Sequence, residues 1–243
     1  MQDQLHKIEL KAEERPQRFD VINGLIKAMG YKRYLEIGVQ NGECFKKIQC
    51  EYKVGVDPSE YSKATIFQTS NQFFNDNIEM FDIIFLDGLH EKDQVLMDIQ
   101  NSLKFLKANG TIVLHDCNPE SVEAQTVPRM NRVWNGDVWK AWVTLRRKEP
   151  FLDMCVLNMD HGIGLLKPGK QDLIDYTEES ELALHTKVDY FDLNDDATEK
   201  GWEKFDKECY EALDRNRKEW LNLTTEITLK YDTYESGSSN IDH

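Results

Sequence analysis

Residues 81–90 read Phe81-Asp82-Ile83-Ile84-Phe85-Leu86-Asp87-Gly88-Leu89-His90. The apolar run Phe81–Leu86 predicts a strand buried on both faces, the situation of a strand inside a parallel sheet. An acid, a glycine and a histidine follow at its carboxyl end. In an open α/β sheet, ligands sit outside the carboxyl ends of the strands, near the switch in strand order. This stretch therefore offers both a fold and the place of a site.

Working outward, the flanking sequence alternates strand and helix signals. Upstream, Tyr34–Val39 reads as a strand, Gly42–Ile48 as helical, Lys53–Val56 as a second strand ending at Asp57-Pro58, and Ala64–Phe67 as a third. Downstream, Val95, Ile99, Leu103 and Leu106 mark the inner face of a helix that Asn109-Gly110 ends, and Thr111–Leu114 is a fifth strand. This alternation over residues 31–116 predicts an α/β fold with a doubly wound, mostly parallel sheet and helices on both faces. Ahead of it, Pro16 opens a helix whose Phe19, Ile22, Ile26 and Met29 form one apolar stripe, and Gly30 stops it.

Beyond residue 116 the pattern is less regular. Asn131–Arg147 reads as a tryptophan-rich helical segment. Met154–Asn158 and Ile163–Leu166 read as an antiparallel edge hairpin joined by Met159-Asp160-His161-Gly162. Trp202–Leu223 reads as a helix with Phe205, Tyr210 or Cys209, Leu213 and Trp220 inward. Residues 171–198 lack periodicity, and the first ten residues and Ser236–His243 are expected to be loosely held. The expected organisation is one domain over 1–170 with an acidic, partly helical extension, 171–243, packed on it.

The net charge of -14 lies mostly in that extension, which holds twenty acids against eight bases. A nucleic-acid binder shows a basic footprint, so no nucleic acid is expected as a partner. The local exception is Pro128–Lys148, with six bases against Asp137. No apolar run approaches the length of a membrane span, so no membrane partner is expected. No hydrophobic leader opens the sequence, so a cytoplasmic location is expected. Five cysteines without a C-x-x-C argue for a reducing compartment and against a zinc ribbon or disulfide scaffold. Homo-oligomerisation is left open.

Two loops carry chemistry. In Glu36-Ile37-Gly38-Val39-Gln40-Asn41-Gly42 two glycines leave a strand and enter the next element, where they permit close backbone approach to a ligand. Asp57 ends the next strand, where an acid can hold both hydroxyls of a ribose. This suits NAD as well as S-adenosylmethionine, but the dinucleotide fingerprint needs a glycine where Gln40 stands. At the other site, Asp87 and Asp116 end what are taken as neighbouring strands, about 4.8 Å apart, close enough for one cation to bridge. Oxygen ligands favour Mg²⁺, Mn²⁺ or Ca²⁺. His90, one turn beyond Asp87, suits a general base.

The motifs Y-L-E-I-G-V-Q-N-G, V-G-V-D-P, F-D-I-I-F-L-D-G-L-H and T-I-V-L-H-D-C-N-P make residues 31–170 resemble class I S-adenosylmethionine-dependent methyltransferases. That group includes small-molecule and sugar O-methyltransferases, some of them metal-dependent. The resemblance implies the strand order 3-2-1-4-5-7-6. It implies S-adenosylmethionine held by Glu36, Gly38, Gly42, Asp57 and, at the adenine, Ser70. The family's Asp-x-x-His maps onto Asp87 as metal ligand and His90 as base, and its acidic pair after strand five maps onto His115 and Asp116. The implied ion is divalent, with Mg²⁺ expected; His115 departs from the acid that the pattern has there. The implied reaction is methylation of a hydroxyl on a sugar, a nucleotide-linked sugar or another small molecule, in surface-polysaccharide or secondary-metabolite synthesis. The basic, aromatic stretch Arg129–Arg147 would wall the acceptor site. An NAD(P)-dependent oxidoreductase and a non-catalytic nucleotide-binding module are the alternatives.

Overall fold

The computed structural model describes residues 4–7, 16–186, 199–225 and 228–231. Its strands are β1 Gln4–Lys7, β2 Arg33–Ile37, β3 Tyr52–Val56, β4 Phe81–Leu86, β5 Leu106–Leu114, β6 Leu152–Leu157, β7 Ile163–Pro168, β8 Leu223–Thr224 and β9 Thr228–Tyr231. Its helices are α1 Arg18–Met29, α2 Ser70–Asp76, α3 Lys92–Phe105, α4 Val138–Lys148, α5 Glu178–Leu182 and α6 Glu199–Trp220.

Seven strands form one sheet in the order β3-β2-β4-β5-β7-β6-β8. Strands β3, β2, β4 and β5 are parallel neighbours, while β7 runs antiparallel to both β5 and β6. The third strand expected at 64–67 is reduced to a single parallel bridge from Ile66 to Val56. With that bridge in the third place, the order is the 3-2-1-4-5-7-6 of class I methyltransferases, extended by β8. Strand β1 pairs with β9 in a separate two-stranded sheet, so residues 4–7 are not the loose end expected of them. The expected frayed tail, 236–243, lies outside the described residues.

The period-two geometry of strands sorts the sheet's side chains into two cores. Ile84 and Leu86 of β4 and Ile112 and Leu114 of β5 join Val95 and Ile99 of α3, Trp139 and Trp142 of α4, and Phe205 and Leu213 of α6. Ile83, Phe85 and Val113 point the other way, against Val21, Ile22, Leu25 and Ile26 of α1. Phe19 and Met29, expected on that stripe, are only partly buried. Gly30 closes α1 in the left-handed conformation, φ 63°, as expected of it. On α6 it is Cys209 rather than Tyr210 that turns inward, and Trp220 stacks on Trp139 with centroids 6.2 Å apart. The acidic C-terminal region thus contributes to the same core. Among the described residues no helix is long and apolar enough to cross a membrane.

Four element boundaries differ from expectation, three of them for visible reasons. The helix expected at Gly42–Ile48 is only a 3-10 turn, Phe45–Lys47. Lys53 Nζ donates to the carbonyls of Phe45 and Ile48, and Asn23 holds the Lys47 carbonyl and the Gln49 amide, so the groups a longer helix would pair are already taken. Asn109-Gly110 does not end α3 but lies inside β5, beside a register shift opposite Phe81–Ile83. A Cβ at Gly110 would stand 2.7 Å from the Asp82 carbonyl oxygen, so the close approach selects glycine there. The tryptophan-rich helix begins only at Val138, because residues 131–137 form a loop that folds over the site. Helix α6 stops at Trp220, and Leu223 opens β8.

Candidate active site

The first loop makes a cofactor-sized cleft. Gly38 has φ 92°, and a Cβ there would lie 2.1 Å from the Asp87 carbonyl oxygen, so only glycine lets the ends of β2 and β4 come together. Gln40 takes the left-handed conformation, φ 47°, at the place where a dinucleotide fingerprint has glycine. Asp57, buried at the end of β3, accepts from the backbone amides of Gln40 and Ser59, both at 2.8 Å, and so ties the loop down. The resulting cleft has a volume of about 490 Å³; its wall includes Gly38, Gln40, Asp57, Ser70, Asp87 and Leu89.

Of the five residues expected to hold a cofactor, Gly38, Asp57 and Ser70 line the cleft, and Glu36 and Gly42 do not. Glu36 is turned into the core, where its carboxyl accepts from the Tyr34 hydroxyl at 2.5 Å and burial pushes its pKa up to about 8. Gly42 shapes the loop from behind, with φ 74° and the Lys63 side chain packed where its Cβ would be. Ser70 is the first residue of α2; Thr69 is the cap, its hydroxyl accepting from the Gln72 amide.

The second group gathers at the carboxyl ends of β4 and β5. His90 Nε2 lies 3.2 Å from Asp87 Oδ1, and His90 Nδ1 lies 3.2 Å from Asp116 Oδ2. His115 Nδ1 lies 3.0 Å from Asp116 Oδ2 and 3.4 Å from Asp87 Oδ1. Sequence reading thus brought together four residues that do stand together. Burial opposes a charged His90 and a charged His115, but the carboxylates around them outweigh it and raise both imidazoles above their ordinary pKa. Burial would raise Asp87, yet the two histidines hold it well below the carboxylate range.

Four further residues join the site: Arg18 and Asp160, which the sequence reading does not place there, and Trp134 and Asn135, from the stretch expected only as an acceptor wall. Arg18, from the start of α1, places Nη1 3.0 Å from Asp87 Oδ2 and Nε 3.0 Å from Asp160 Oδ2. Asp160 in turn faces His115 Nε2 at 3.5 Å. Asn135 donates to Asp116 Oδ1 at 2.7 Å. Trp134 stacks on His90, held there by its own Nε1 donating to the Thr126 carbonyl. Gly136 permits this loop to close, since a Cβ would meet the His90 carbonyl oxygen at 1.9 Å. For Asp160 a signal existed: an antiparallel hairpin added beside a parallel strand returns its turn to the carboxyl end, where ligands sit. Arg18 had none, because nothing in a helix start says what it faces.

Residues 55–117 match the family model described as a methyltransferase domain. The matched segment runs from β3 to the end of β5 and contains Asp57, Ser70, Asp87, His90, His115 and Asp116. No curated protein matches the chain. Among solved structures it is similar to the O-methyltransferase from Bacillus cereus in complex with SAH, at 16% identity over 65% of this chain and 84% of that one, TM-score 0.47. It is also similar to the SAH-bound methyltransferase PaMTH1 from Podospora anserina, at 20% identity over 64% and 78%, TM-score 0.45. The O-methyltransferase TomG from Streptomyces achromogenes, involved in tomaymycin synthesis and in complex with SAM, is similar at 13% identity over 67% and 82%, TM-score 0.46. These are distant likenesses, and the function proposed below stands on the match over residues 55–117 and the chain's own residues.

Proposed function

We propose that the methyltransferase domain transfers a methyl group from S-adenosylmethionine to a hydroxyl of a sugar or another small molecule, in surface-polysaccharide or secondary-metabolite synthesis. One observation carries this reading: Asp87 belongs both to the wall of the 490 Å³ cleft and to the histidine–aspartate cluster. A cofactor seated by Gly38, Asp57 and Ser70 would therefore present its reactive end to groups able to move a proton.

A hydroxyl is a poor nucleophile until it loses its proton. His90 is the residue that would take it, as a ring fixed between Asp87, Asp116 and Trp134 at the mouth of the sheet. Asp87, His115 and Asp116 would hold a divalent cation. The donors fit one. Asp87 and Asp160 share one guanidinium, Asp116 faces both imidazoles, and both ring nitrogens of the buried His115 make no hydrogen bond. When bound, such an ion lowers the pKa of a ligated hydroxyl and fixes its direction. The basic loop containing Arg129 and Arg132, stacked on His90 through Trp134, suits an acceptor that is anionic or nucleotide-linked.

Calorimetry with SAH and with NAD, followed by a methyl-transfer assay with labelled S-adenosylmethionine and a panel of sugars and nucleotide sugars, tests the reading. SAH should bind and NAD should not. Tight NAD binding with no binding of either S-adenosyl compound would replace it with the oxidoreductase alternative.

A further inference from the structure

The cluster at the ends of β4 and β5 is built with nitrogen as well as oxygen, and a third carboxylate stands behind it. Among the described residues, Asp87, His90 and Asp116 offer ligand atoms that all lie within 4.8 Å of one another, and His115, outside that trio, faces the same Asp87 and Asp116. An ion bound to nitrogen and oxygen at about 2.0–2.2 Å sets adjacent ligand atoms about 3.0–3.5 Å apart. His115 Nδ1 is 3.0 Å from Asp116 Oδ2 and 3.4 Å from Asp87 Oδ1. These are the spacings of ligands around one ion.

His115 is also the residue whose environment asks for such a partner. It is 4% exposed, and neither ring nitrogen makes a hydrogen bond. A buried ring whose nitrogens face carboxylates without hydrogen-bonding them leaves polar groups unsatisfied, which a cation set among them would complete. Its Nδ1 faces the two carboxylates and its Nε2 faces Asp160 Oδ1 at 3.5 Å. Asp160 is itself gripped: Arg18 donates to it from the backbone amide at 2.8 Å, from Nε at 3.0 Å and from Nη2 at 3.3 Å. A carboxylate on the far side of an imidazole whose near nitrogen faces ligand oxygens is the placement by which proteins orient a metal-binding histidine, and a shift of a few tenths of an ångström would close the 3.5 Å gap to a hydrogen bond.

We propose that Asp160, locked by Arg18, is a positioning residue that turns His115 Nδ1 toward the ion, and that this nitrogen makes the centre select a borderline transition ion over Mg²⁺. The proposal rests on the cation-binding part of the function given above. Its chemistry follows from the ligands: Mg²⁺ prefers oxygen and dehydrates reluctantly, whereas imidazole suits ions of the Fe²⁺ to Zn²⁺ range.

The test uses the full chain, stripped with chelator and titrated separately with Co²⁺ and Mg²⁺ by calorimetry, with the visible absorption of bound Co²⁺ as a second readout. Co²⁺ should bind at least about tenfold more tightly than Mg²⁺, following the order of ligand preference, and its absorption band should vanish in His115→Ala. Asp160→Asn should weaken Co²⁺ about 10–100-fold, the usual effect of losing an outer carboxylate, and should alter the band while SAH affinity and melting temperature hold. His115→Asp should narrow the preference for Co²⁺ over Mg²⁺. Equal affinity for the two ions in the unmutated protein overturns the selectivity. An unchanged affinity and band in Asp160→Asn overturns the positioning role. SAH binding with no binding of either ion overturns the proposal and the cation part of the function together. Tight Co²⁺ binding without SAH binding supports this centre and overturns the methyl-transfer reading.

Discussion

The indole of Trp134 lies on the imidazole of His90, with centroids 5.1 Å apart and planes inclined by 17°. Arg129 places its guanidinium 5.7 Å from the centroid of the same Trp134 ring. The proposed base is thus packed against a ring that the exposed Arg129 also contacts. Such ring contacts are worth about 0.5–1.5 kcal/mol. Trp134→Ala should therefore lower kcat about 2–10-fold by loosening His90, and Trp134→Phe should retain most of the rate. Steady-state kinetics on both variants decides; an alanine variant as fast as the unmutated protein removes the stack from the mechanism.

His90→Ala should lower kcat by about 10²–10⁴-fold, the usual share of a general base. SAH affinity should change little, because His90 is absent from the cleft wall. The measurement is single-turnover rate on protein shown to be folded and cofactor-saturated. A loss of less than about threefold, small beside that range, would leave the ring a structural role only.

Asp57→Ala should weaken SAH binding by roughly 1.5–3 kcal/mol, the scale of lost charge-assisted hydrogen bonds. The carboxylate already fixes the amides of Gln40 and Ser59, so part of that loss is loss of loop order. Asp57→Asn keeps one acceptor oxygen and should fall between the two. Calorimetric Kd values that are equal for all three proteins would place the ribose elsewhere.

Glu36 gives a pH signature. Its pKa in the fold is about 8 against an ordinary value of 4.5, so between these values the folded state keeps a proton that the unfolded chain has released. Stability contributed by this group is full below about pH 4.5, falls as pH rises, and levels off above about pH 8. Glu36→Gln cannot ionise and should gain on the unmutated protein across that window, by an amount on the order of a few kcal/mol. Denaturant melts near pH 5 and pH 8 measure it, and parallel pH curves for the two proteins would show that Glu36 does not hold its proton.

The sheet was readable because its signals are local. Ile83 to Leu86 had to be buried on both faces, and the acids and glycines that follow strands stand at the ends where ligands gather. Asp87, His90, His115 and Asp116 were legible for that reason. Glu36 was misjudged because sequence gives its place at the strand end but not the direction of its side chain, which the hydroxyl of Tyr34 draws into the core. The turn at Phe45–Lys47 was read as a helix because nothing local reveals that Lys53 and Asn23 will claim its carbonyls. Arg18 and Asp160 meet only after the whole chain has folded, so their partnership has no local trace.

The margins of the large sheet bear on how copies of this protein could meet. An open strand edge recruits foreign strands, and proteins commonly blunt it. Here the carboxyl end of β6 is covered by the two residues of β8, with Val156 and Asn158 donating to the carbonyls of Asn222 and Thr224, and Asn222 donating back to the Met154 carbonyl. At the opposite margin the chain lays Ile66 beside Val56, and the amides of Thr65 and Ile66 donate to the Gly55 carbonyl. Ladder growth from one molecule into the next is therefore blunted where β8 and Ile66 lie at the two borders of the large sheet.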